Sequence, residues 1–282
     1  MRRVVCALCI IIAAVWPASG QQLAPSGQLA LADVEQVRPV RRSLADQEQF
    51  LIAARIDKVK GVSKGITGTR RATLSDGVVT HDASIQTIDE SKARYETARR
   101  LELNFRDYWG YNVAAYRLGV MLGLDMIPPS VVRRYQSEKA AFTWWVDDVM
   151  MDELARQKQK VSPPDAGPWN AQLHILRVFD ELIANTDRNQ GNMLIDQRWK
   201  LWLIDHSRAF RTTTDLRGPR IIRRCDRALL EKMKGLTLQA LQVQLHDYLT
   251  EGEMQSILAR RDKLVALIDR LGPAALYDFV DR

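Results

Sequence analysis

The sequence has little cysteine and little histidine, and both shortages narrow its chemistry. Three cysteines occur among 282 residues, and two of them, Cys6 and Cys9, lie in an N-terminal apolar run. If that run is removed, Cys225 remains alone and no internal disulfide can form. The four histidines show none of the spacings that zinc sites use. A zinc centre is therefore not expected.

Long apolar runs are also scarce, since only Val4 to Val15 approaches the length of a membrane span. Arg2 and Arg3 precede this run, and the small residues Ala18-Ser19-Gly20 follow it. This pattern predicts a signal peptide over residues 1–20 and export to the periplasm or the cell exterior. A retained anchor stays open as the alternative, although the run is short for a stable span. Residues 21–45 are rich in Gln, Ala, Ser and Pro, which is typical of a flexible leader.

Strong charge of one sign is likewise missing. The net charge is +7, and the basic residues are scattered without an interleaved run of aromatics. The chain is therefore expected to bind no nucleic acid, while its modest basicity suits an anionic ligand. Apolar residues make up 46% and charged residues 27%, as in an ordinary globular protein.

Local patterns predict an α+β protein. Ser75-Asp76-Gly77 is a hairpin turn between two strand-like runs, and residues 111–122 have the apolar period of a helix. Further on, an amphipathic helix is predicted over 169–184, short strands over 193–196 and 200–204, and a long helix that begins at the capping box Thr250–Glu253. The plan is a β-containing part over residues 46–150 and a mainly helical part over residues 151–282.

Three polar residues of the second part carry the chemical signal. Asp187 precedes Asn192 by five positions, which is the spacing of the catalytic Asp and the metal-binding Asn in protein kinases. A hairpin that turns near Gln197-Arg198 would bring Asn192 and Asp205 to the same end. Oxygen ligands that converge in this way suit Mg²⁺ or Mn²⁺. Asp and Asn also make ordinary loop turns, and that interpretation stays open.

Two blocks of this sequence resemble a known group of enzymes. They are Asn185-Thr-Asp187-Arg188-Asn189 with Ile204-Asp205-His206, and the stretch from Ala114 to Val131. They are similar to the atypical kinases that include the HipA type, the phosphatidylinositol kinases and the secretory-pathway Golgi casein kinase and xylosylkinase family. The second block resembles the secretory-pathway branch. The resemblance implies a two-lobed protein-kinase-like fold, with a small β-rich N-lobe that has one main helix and a mainly helical C-lobe.

The same resemblance implies a set of residue roles. ATP and a divalent metal would bind, Asp187 would be catalytic, and Asn192 and Asp205 would hold the metal. Arg188, Asn189 and His206 would support them, with Asn189 standing where His is frequent.

The chain departs from the family where the phosphates are positioned. The usual N-lobe Lys corresponds to Gln86 and the usual helix Glu to Asn112, and two neutral amides could still hydrogen-bond to each other. Lys64, Arg70, Arg71 and Lys92 are the candidates for a replacement charge, and Lys64, within the Gly-punctuated stretch 61–68, is the predicted phosphate contact. The backbone around Val146 is predicted to meet the adenine. An apolar strand end is the equally open alternative there.

These expectations combine into one leading hypothesis. The chain would be an exported, metal-dependent phosphotransferase that moves the γ-phosphoryl group of ATP to a hydroxyl of a protein, glycan or small molecule. The neutral pair Gln86 and Asn112 leaves two alternatives open, a non-catalytic pseudokinase that binds a partner and a transferase that moves AMP instead of phosphate.

Overall fold

A computed structural model describes residues 42–61, 68–97 and 100–279 of the protein. The predicted signal peptide, nearly all of the predicted leader and Lys64 lie outside these residues. The described residues all belong to one compact unit that begins at Arg42. Within that unit, no helix combines the length and the apolar character needed to cross a membrane.

The first part of the unit is built on an antiparallel sheet. Its elements are α1 Leu44–Ala53, β1 Arg55–Gly61, β2 Arg70–Ser75, β3 Thr80–Gln86, β4 Asp89–Thr97, β5 Arg100–Tyr108, α2 Gly110–Met121, β6 Ser130–Tyr135 and β7 Glu138–Trp144. Five of these strands form one sheet in the order β1-β2-β3-β7-β6, while β4 and β5 pair as a separate hairpin. The predicted turn at Ser75-Asp76-Gly77 is confirmed, because Asp76 accepts hydrogen bonds from the N–H groups of Val78 and Val79.

Helix α1 packs on the sheet and helix α2 packs beside it. Arg133 of β6 donates to the carbonyls of Leu51 and Ala54, at 3.1 and 2.7 Å, and so fixes the end of α1. Helix α2 stops before Gly123, which has a φ of +70° that other residues rarely adopt. The sheet thus has two accompanying helices, and α2 is the one predicted over residues 111–122.

The second part begins with a small sheet and is otherwise helical. Its elements are β8 Val149–Asp152, α3 Glu153–Gln159, α4 Ala166–Leu182, β9 Met193–Asp196, β10 Leu201–Leu203, β11 Cys225–Asp226, α5 Arg227–Lys234, α6 Leu238–Leu245, α7 Glu251–Leu271 and β12 Leu276–Tyr277. Strands β10, β9 and β8 lie side by side in that order. The predicted capping box at the start of α7 is present, since Thr250 and Glu253 exchange hydrogen bonds.

Two clusters of buried apolar side chains stabilise this arrangement. One lies between α1 and the five-stranded sheet and contains Phe50 and Phe142. The larger one runs from α2 through α4 to α7 and contains Phe179 and Phe210. Phe179 precedes the predicted catalytic loop and Phe210 follows Asp205. The larger core therefore anchors both chain segments of the candidate site.

Several predicted boundaries were wrong. The helix predicted over residues 169–184 spans Ala166–Leu182, and the strand predicted over 200–204 spans only Leu201–Leu203. The charged residues of β1 are all exposed on a sheet edge, and only Ile56 and Val59 are half-buried, so the strand shows no regular apolar alternation.

One buried arginine joins the long helix to the segment that follows Phe210. Arg260 of α7 is fully buried, and it donates to the carbonyls of Leu182, Arg211 and Thr213 at 2.8, 2.7 and 2.5 Å. Such a side chain satisfies carbonyl groups that water cannot reach.

We therefore expect Arg260→Met to lower the free energy of unfolding by about 2–5 kcal/mol, because buried acceptors lose their donor. Urea unfolding followed by circular dichroism measures this loss. Arg270→Met, at an exposed position of the same helix, is the matched control and should change stability by less than about 0.5 kcal/mol. Equal stability of the two variants would contradict this role of Arg260.

Candidate active site

The predicted catalytic loop begins where α4 ends. Ala184 has a positive φ of 47°, which turns the chain sharply out of the helix. Asn185 then holds the loop from inside: its side chain accepts from the N–H of Asp187 at 3.0 Å and donates to Asp180 at 3.1 Å. Asp187 itself points outward, with 44% of its side chain exposed. The loop thus presents one accessible carboxylate on a rigid frame.

The hairpin of β9 and β10 brings the two predicted metal ligands together. Leu203 pairs with Met193, and the N–H of Ile204 donates to the carbonyl of Asn192 at 3.1 Å. Asn192 and Asp205 therefore sit at the same end of the hairpin, as the sequence predicts. Asp205 adopts a positive φ of 56°, which bends the chain away from the strand direction at this point.

Arg188 ties the loop to the hairpin. Its guanidinium forms a two-pronged ion pair with Asp180, at 2.9 and 3.2 Å, and it donates to the carbonyls of Asn192 and Ile204 at 3.0 and 2.8 Å. The side chains of Arg188 and Asp180 are only 10% and 12% exposed. The predicted supporting residue is therefore a buried crosslink behind the site, and its five donors suit that position.

His206 completes the cluster around Arg188. Its ring is 2% exposed, and its Nε2 lies 2.8 Å from Nη2 of Arg188. An arginine can only donate, so Nε2 must accept and must carry no proton. Burial, reinforced by the charge of Arg188, holds the pKa of His206 well below its usual range. The imidazole is accordingly a neutral spacer behind Asp205.

Gln86 and Asn112, the two neutral amides that stand where the kinase family has its Lys–Glu pair, hydrogen-bond to each other. Asn112 donates to Gln86 at 2.6 Å, and the side-chain oxygen of Asn112 accepts from the backbone N–H of His206 at 2.8 Å. Gln86 in turn donates to Asp205 Oδ1 at 3.2 Å and to Thr69 at 3.3 Å. Both amides are buried, at 6% and 5% exposure, so they connect β3 and α2 directly to Asp205.

A second arginine stands on the accessible side of the site. Arg208 contacts Asp187 at 3.5 Å through Nη1 and Glu102 at 2.9 Å through Nη2. Glu102 belongs to β5 and also pairs with Arg211 at 2.5 Å. The hairpin of β4 and β5 is therefore held against the segment that follows Asp205, close to Asp187.

A further carboxylate, Asp107 near the end of β5, faces the same region. Its pKa is raised, chiefly because the group is buried. A hydrogen bond from Ser207 opposes that effect, the negative charges of Asp205 and Asp187 add to it, and Arg208 partly offsets it. Asp107 thus belongs electrostatically to the Asp187–Asp205 group.

The donor set fits a hard divalent cation that shares its coordination with phosphates. Within residues 42–61, 68–97 and 100–279, no three His, Cys, Asp or Glu side chains converge into a ready-made metal cage. The hydrogen bonds to Asp205 within that part of the chain, from Gln86 and Ser207, both fall on Oδ1. Asp205 Oδ2 and the Asn192 amide oxygen are oxygen donors of the type that Mg²⁺ and Mn²⁺ take together with phosphate oxygens.

The remaining predicted residues lie in different places. Val146 is buried in the connection between β7 and β8, where the five-stranded sheet gives way to the small one. Asn189 accepts from the N–H of Gly191 at 2.9 Å and so caps the turn before Asn192. Lys64 lies outside the described residues. The nucleotide-binding roles of Val146, Gln86, Asn112 and Lys64 stay predictions.

Sequence reasoning missed Asp180, Glu102 and Asp107. Asp180 lies in the last turns of α4, where an acidic residue reads as part of a solvated face. Glu102 and Asp107 lie on β5, which was not predicted as a strand although Leu101, Leu103 and Phe105 alternate with polar residues along it. One sequence feature could have indicated them. Arg188, Arg208 and Arg211 lie close to Asp187 and Asp205 in the sequence, and this excess of arginine favours carboxylate partners from other parts of the chain.

Comparison with known proteins gives a fold and no close sequence relative. No family model and no curated protein sequence matches the chain. The structure of hydra Fam20 with sugar is similar, with a TM-score of 0.63 and 13% identity over 83% of this chain and 92% of that chain. The Golgi casein kinase with Mn/ADP bound has a TM-score of 0.58 and 11% identity, over 82% of this chain and 76% of that one. A second Golgi casein kinase structure has a TM-score of 0.59 and 13% identity, over 84% and 80%.

The chain therefore has an α+β, kinase-like fold of the Fam20 type. This confirms, at the level of fold, the resemblance to the Golgi casein kinase branch that the sequence predicts.

The bond between Gln86 and Asn112 can be tested by a double-mutant cycle. We expect Gln86→Ala and Asn112→Ala to show a coupling free energy of about 0.5–1.5 kcal/mol in urea unfolding, because each single change already breaks the bond. Gln86→Ala combined with the distant Thr250→Ala should be additive. Additivity in the first pair would mean that the amides do not interact.

A second expectation concerns the proton of His206. At pH 6.5, an ordinary histidine is half protonated, but the His206 ring should be neutral with its proton on Nδ1. Long-range ¹H–¹⁵N NMR spectra measure this, with His246, 65% exposed, as the internal reference. Because only the unfolded state would take up this proton, His206 lowers folding stability as the pH falls below about 6.5. A doubly protonated ring at that pH would contradict the assignment.

Proposed function

We propose that the protein is a metal-dependent phosphotransferase that uses ATP, with Asp187 as the catalytic base and Asn192 and Asp205 as metal ligands. One observation carries the proposal: the β9–β10 hairpin brings Asn192 and Asp205 to one end, with the accessible carboxylate of Asp187 in the adjoining loop. The kinase-like fold supports it, as does the Golgi casein kinase structure with Mn/ADP bound. Two lobes with the nucleotide between them would be the corresponding arrangement.

The residues would divide the reaction in a simple way. The hydroxyl oxygen of the acceptor attacks the γ-phosphorus, and its proton passes to the carboxylate of Asp187. The bond from the γ-phosphorus to the bridging oxygen breaks, and ADP leaves. Mg²⁺ or Mn²⁺, when bound, neutralises the negative charge on the phosphates. Arg208, 3.5 Å from Asp187, orients that carboxylate, and Arg188 holds the loop in register with the hairpin.

The acceptor would be a hydroxyl of a protein, a glycan or a small molecule. Asp187 is exposed enough for a large acceptor to approach, which is compatible with all three classes. Export remains part of the proposal and rests on the predicted signal peptide over residues 1–20.

A pseudokinase is the second candidate, and the Gln86–Asn112 pair favours it. Both side chains are buried and bonded to protein groups, so neither brings a charge to the phosphates of a nucleotide. Such a module would use the same fold to bind a partner without transferring phosphate. Transfer of AMP is the remaining alternative, and it would follow if the altered contacts reversed the orientation of the bound nucleotide.

The proposed function predicts how two variants behave. Asp187→Asn should lower ATP turnover by about 10²–10⁴-fold because the general base is removed, and Asp205→Ala should abolish metal-dependent turnover. Turnover is measured as ADP release with Mg²⁺ or Mn²⁺. Asp269→Asn, at an exposed position of α7, is the control and should behave like the wild type.

Other outcomes separate the candidates. Full turnover in either variant would rule out the proposed mechanism. If no turnover occurs and ATP with Mn²⁺ causes no thermal stabilisation, the binding module is the better description, since a bound ligand must stabilise the fold. Mass spectrometry of the modified acceptor distinguishes an added phosphate from an added AMP.

A further inference from the structure

Asp107 is a buried carboxylate beside the candidate metal site to which the sequence assigns no role. It is the last but one residue of β5, and the next residue, Tyr108, donates its N–H to the carbonyl of Ser207 at 2.9 Å. This bond fixes the end of the strand against the segment that follows Asp205. The Asp107 residue is only 6% exposed.

The two oxygens of Asp107 have different surroundings. The Ser207 hydroxyl is near enough to lower the pKa of Asp107, but it donates to Asp205 Oδ1 at 3.1 Å. Asp107 Oδ1 has no contact with solvent and no hydrogen-bond partner among the residues that the structure describes. Ser207 has one proton to give, so it cannot satisfy both carboxylates at once.

Positive charge near these carboxylates is largely engaged elsewhere. Arg208 is the nearby cation, and its two terminal nitrogens contact Glu102 at 2.9 Å and Asp187 at 3.5 Å. Gln86 and Asn112 are neutral. Buried carboxylate oxygens normally bind a donor or a cation, because an isolated one is costly to bury.

We propose that Asp107 is a further ligand of the divalent cation, acting together with Asp205. Hard cations of the Mg²⁺ type take one or two carboxylates and complete their shell with phosphate oxygens and water. Asp107 and Asp205, which lie on the two segments that the Tyr108–Ser207 backbone bond holds together, supply that number. The β4–β5 hairpin thereby becomes part of the metal site, and Glu102, which pairs with Arg208 and Arg211, anchors it there. This inference rests on the proposed function, because it concerns the same metal.

The test is Mn²⁺ binding by the full chain in the presence of a non-hydrolysable ATP analogue, followed by electron paramagnetic resonance of the free ion. Asp107→Asn keeps the shape of the side chain and removes its charge. We expect it to weaken Mn²⁺ affinity at least tenfold and to leave binding of the analogue without metal unchanged. Asp89→Asn is the matched control, since Asp89 lies on β4 directly opposite Tyr108 and is 51% exposed. The control should bind Mn²⁺ like the wild type.

A third variant separates this inference from the proposed function. If Asp205→Asn weakens Mn²⁺ binding and Asp107→Asn does not, Asp107 is no ligand and the proposed function stands. If the wild type binds no Mn²⁺, or binds it equally well without Asp205, the proposed metal site is wrong and the assignment of Asp107 is overturned with it.

A measurement on the wild type covers the case in which Asp107→Asn does not fold. Crystals grown with Mn²⁺ and the ATP analogue locate the ion by its anomalous scattering. The proposal requires an oxygen of Asp107 bonded directly to that ion. An ion bonded to Asp205 and Asn192 with Asp107 turned away would overturn it.

Discussion

The candidate site depends on one buried cation, the guanidinium of Arg188. It bonds to Asp180 at the end of α4 and to the carbonyls of Asn192 and Ile204 at the open end of the β9–β10 hairpin. Breaking such a buried pair leaves an uncompensated charge, which is strongly unfavourable, so the three segments are held in one relative position. Arg188 also donates to the His206 ring, which can accept this bond only when the ring is neutral. The spacing between Asp187, Asn192 and Asp205 follows from this crosslink.

Hydrogen bonds between neutral groups connect that centre to the five-stranded sheet. Gln86 of β3 and Asn112 of α2 bond to each other and to the Asp205–His206 segment. A neutral pair can fix distance and orientation as well as an ion pair does, but it contributes no charge to a phosphate. The charged groups near Asp205 lie where β5 meets the segment after Asp205, since Asp107 and Glu102 belong to β5 and Arg208 to that segment. In this chain, therefore, β3 and α2 position the Asp205 segment, while the charged side chains around Asp205 belong to other elements.

The parts of the fold that could be predicted are those that local physics decides. The turn at Asp76, the end of α2 at Gly123 and the capping box of Thr250 each depend on neighbours within four residues. The β9–β10 hairpin follows from two short apolar strands and a polar turn. Strand β1 was missed because its charged residues are exposed on a sheet edge, where pairing with a neighbouring strand replaces apolar burial. The β4–β5 hairpin was not predicted either.

The sequence by itself determined which residues could carry the chemistry, because Asp187, Asn192 and Asp205 lie within one loop and one hairpin, whose geometry is local. The resemblance to the kinase family also located the exchange of a charged pair for Gln86 and Asn112. Only the tertiary structure decided what surrounds them. Asp107 and Glu102 stand about 80 to 105 residues before Asp187 and Asp205 in the chain. No local rule brings such distant groups together, and their contacts arise from the packing of β5 against the segment after Asp205.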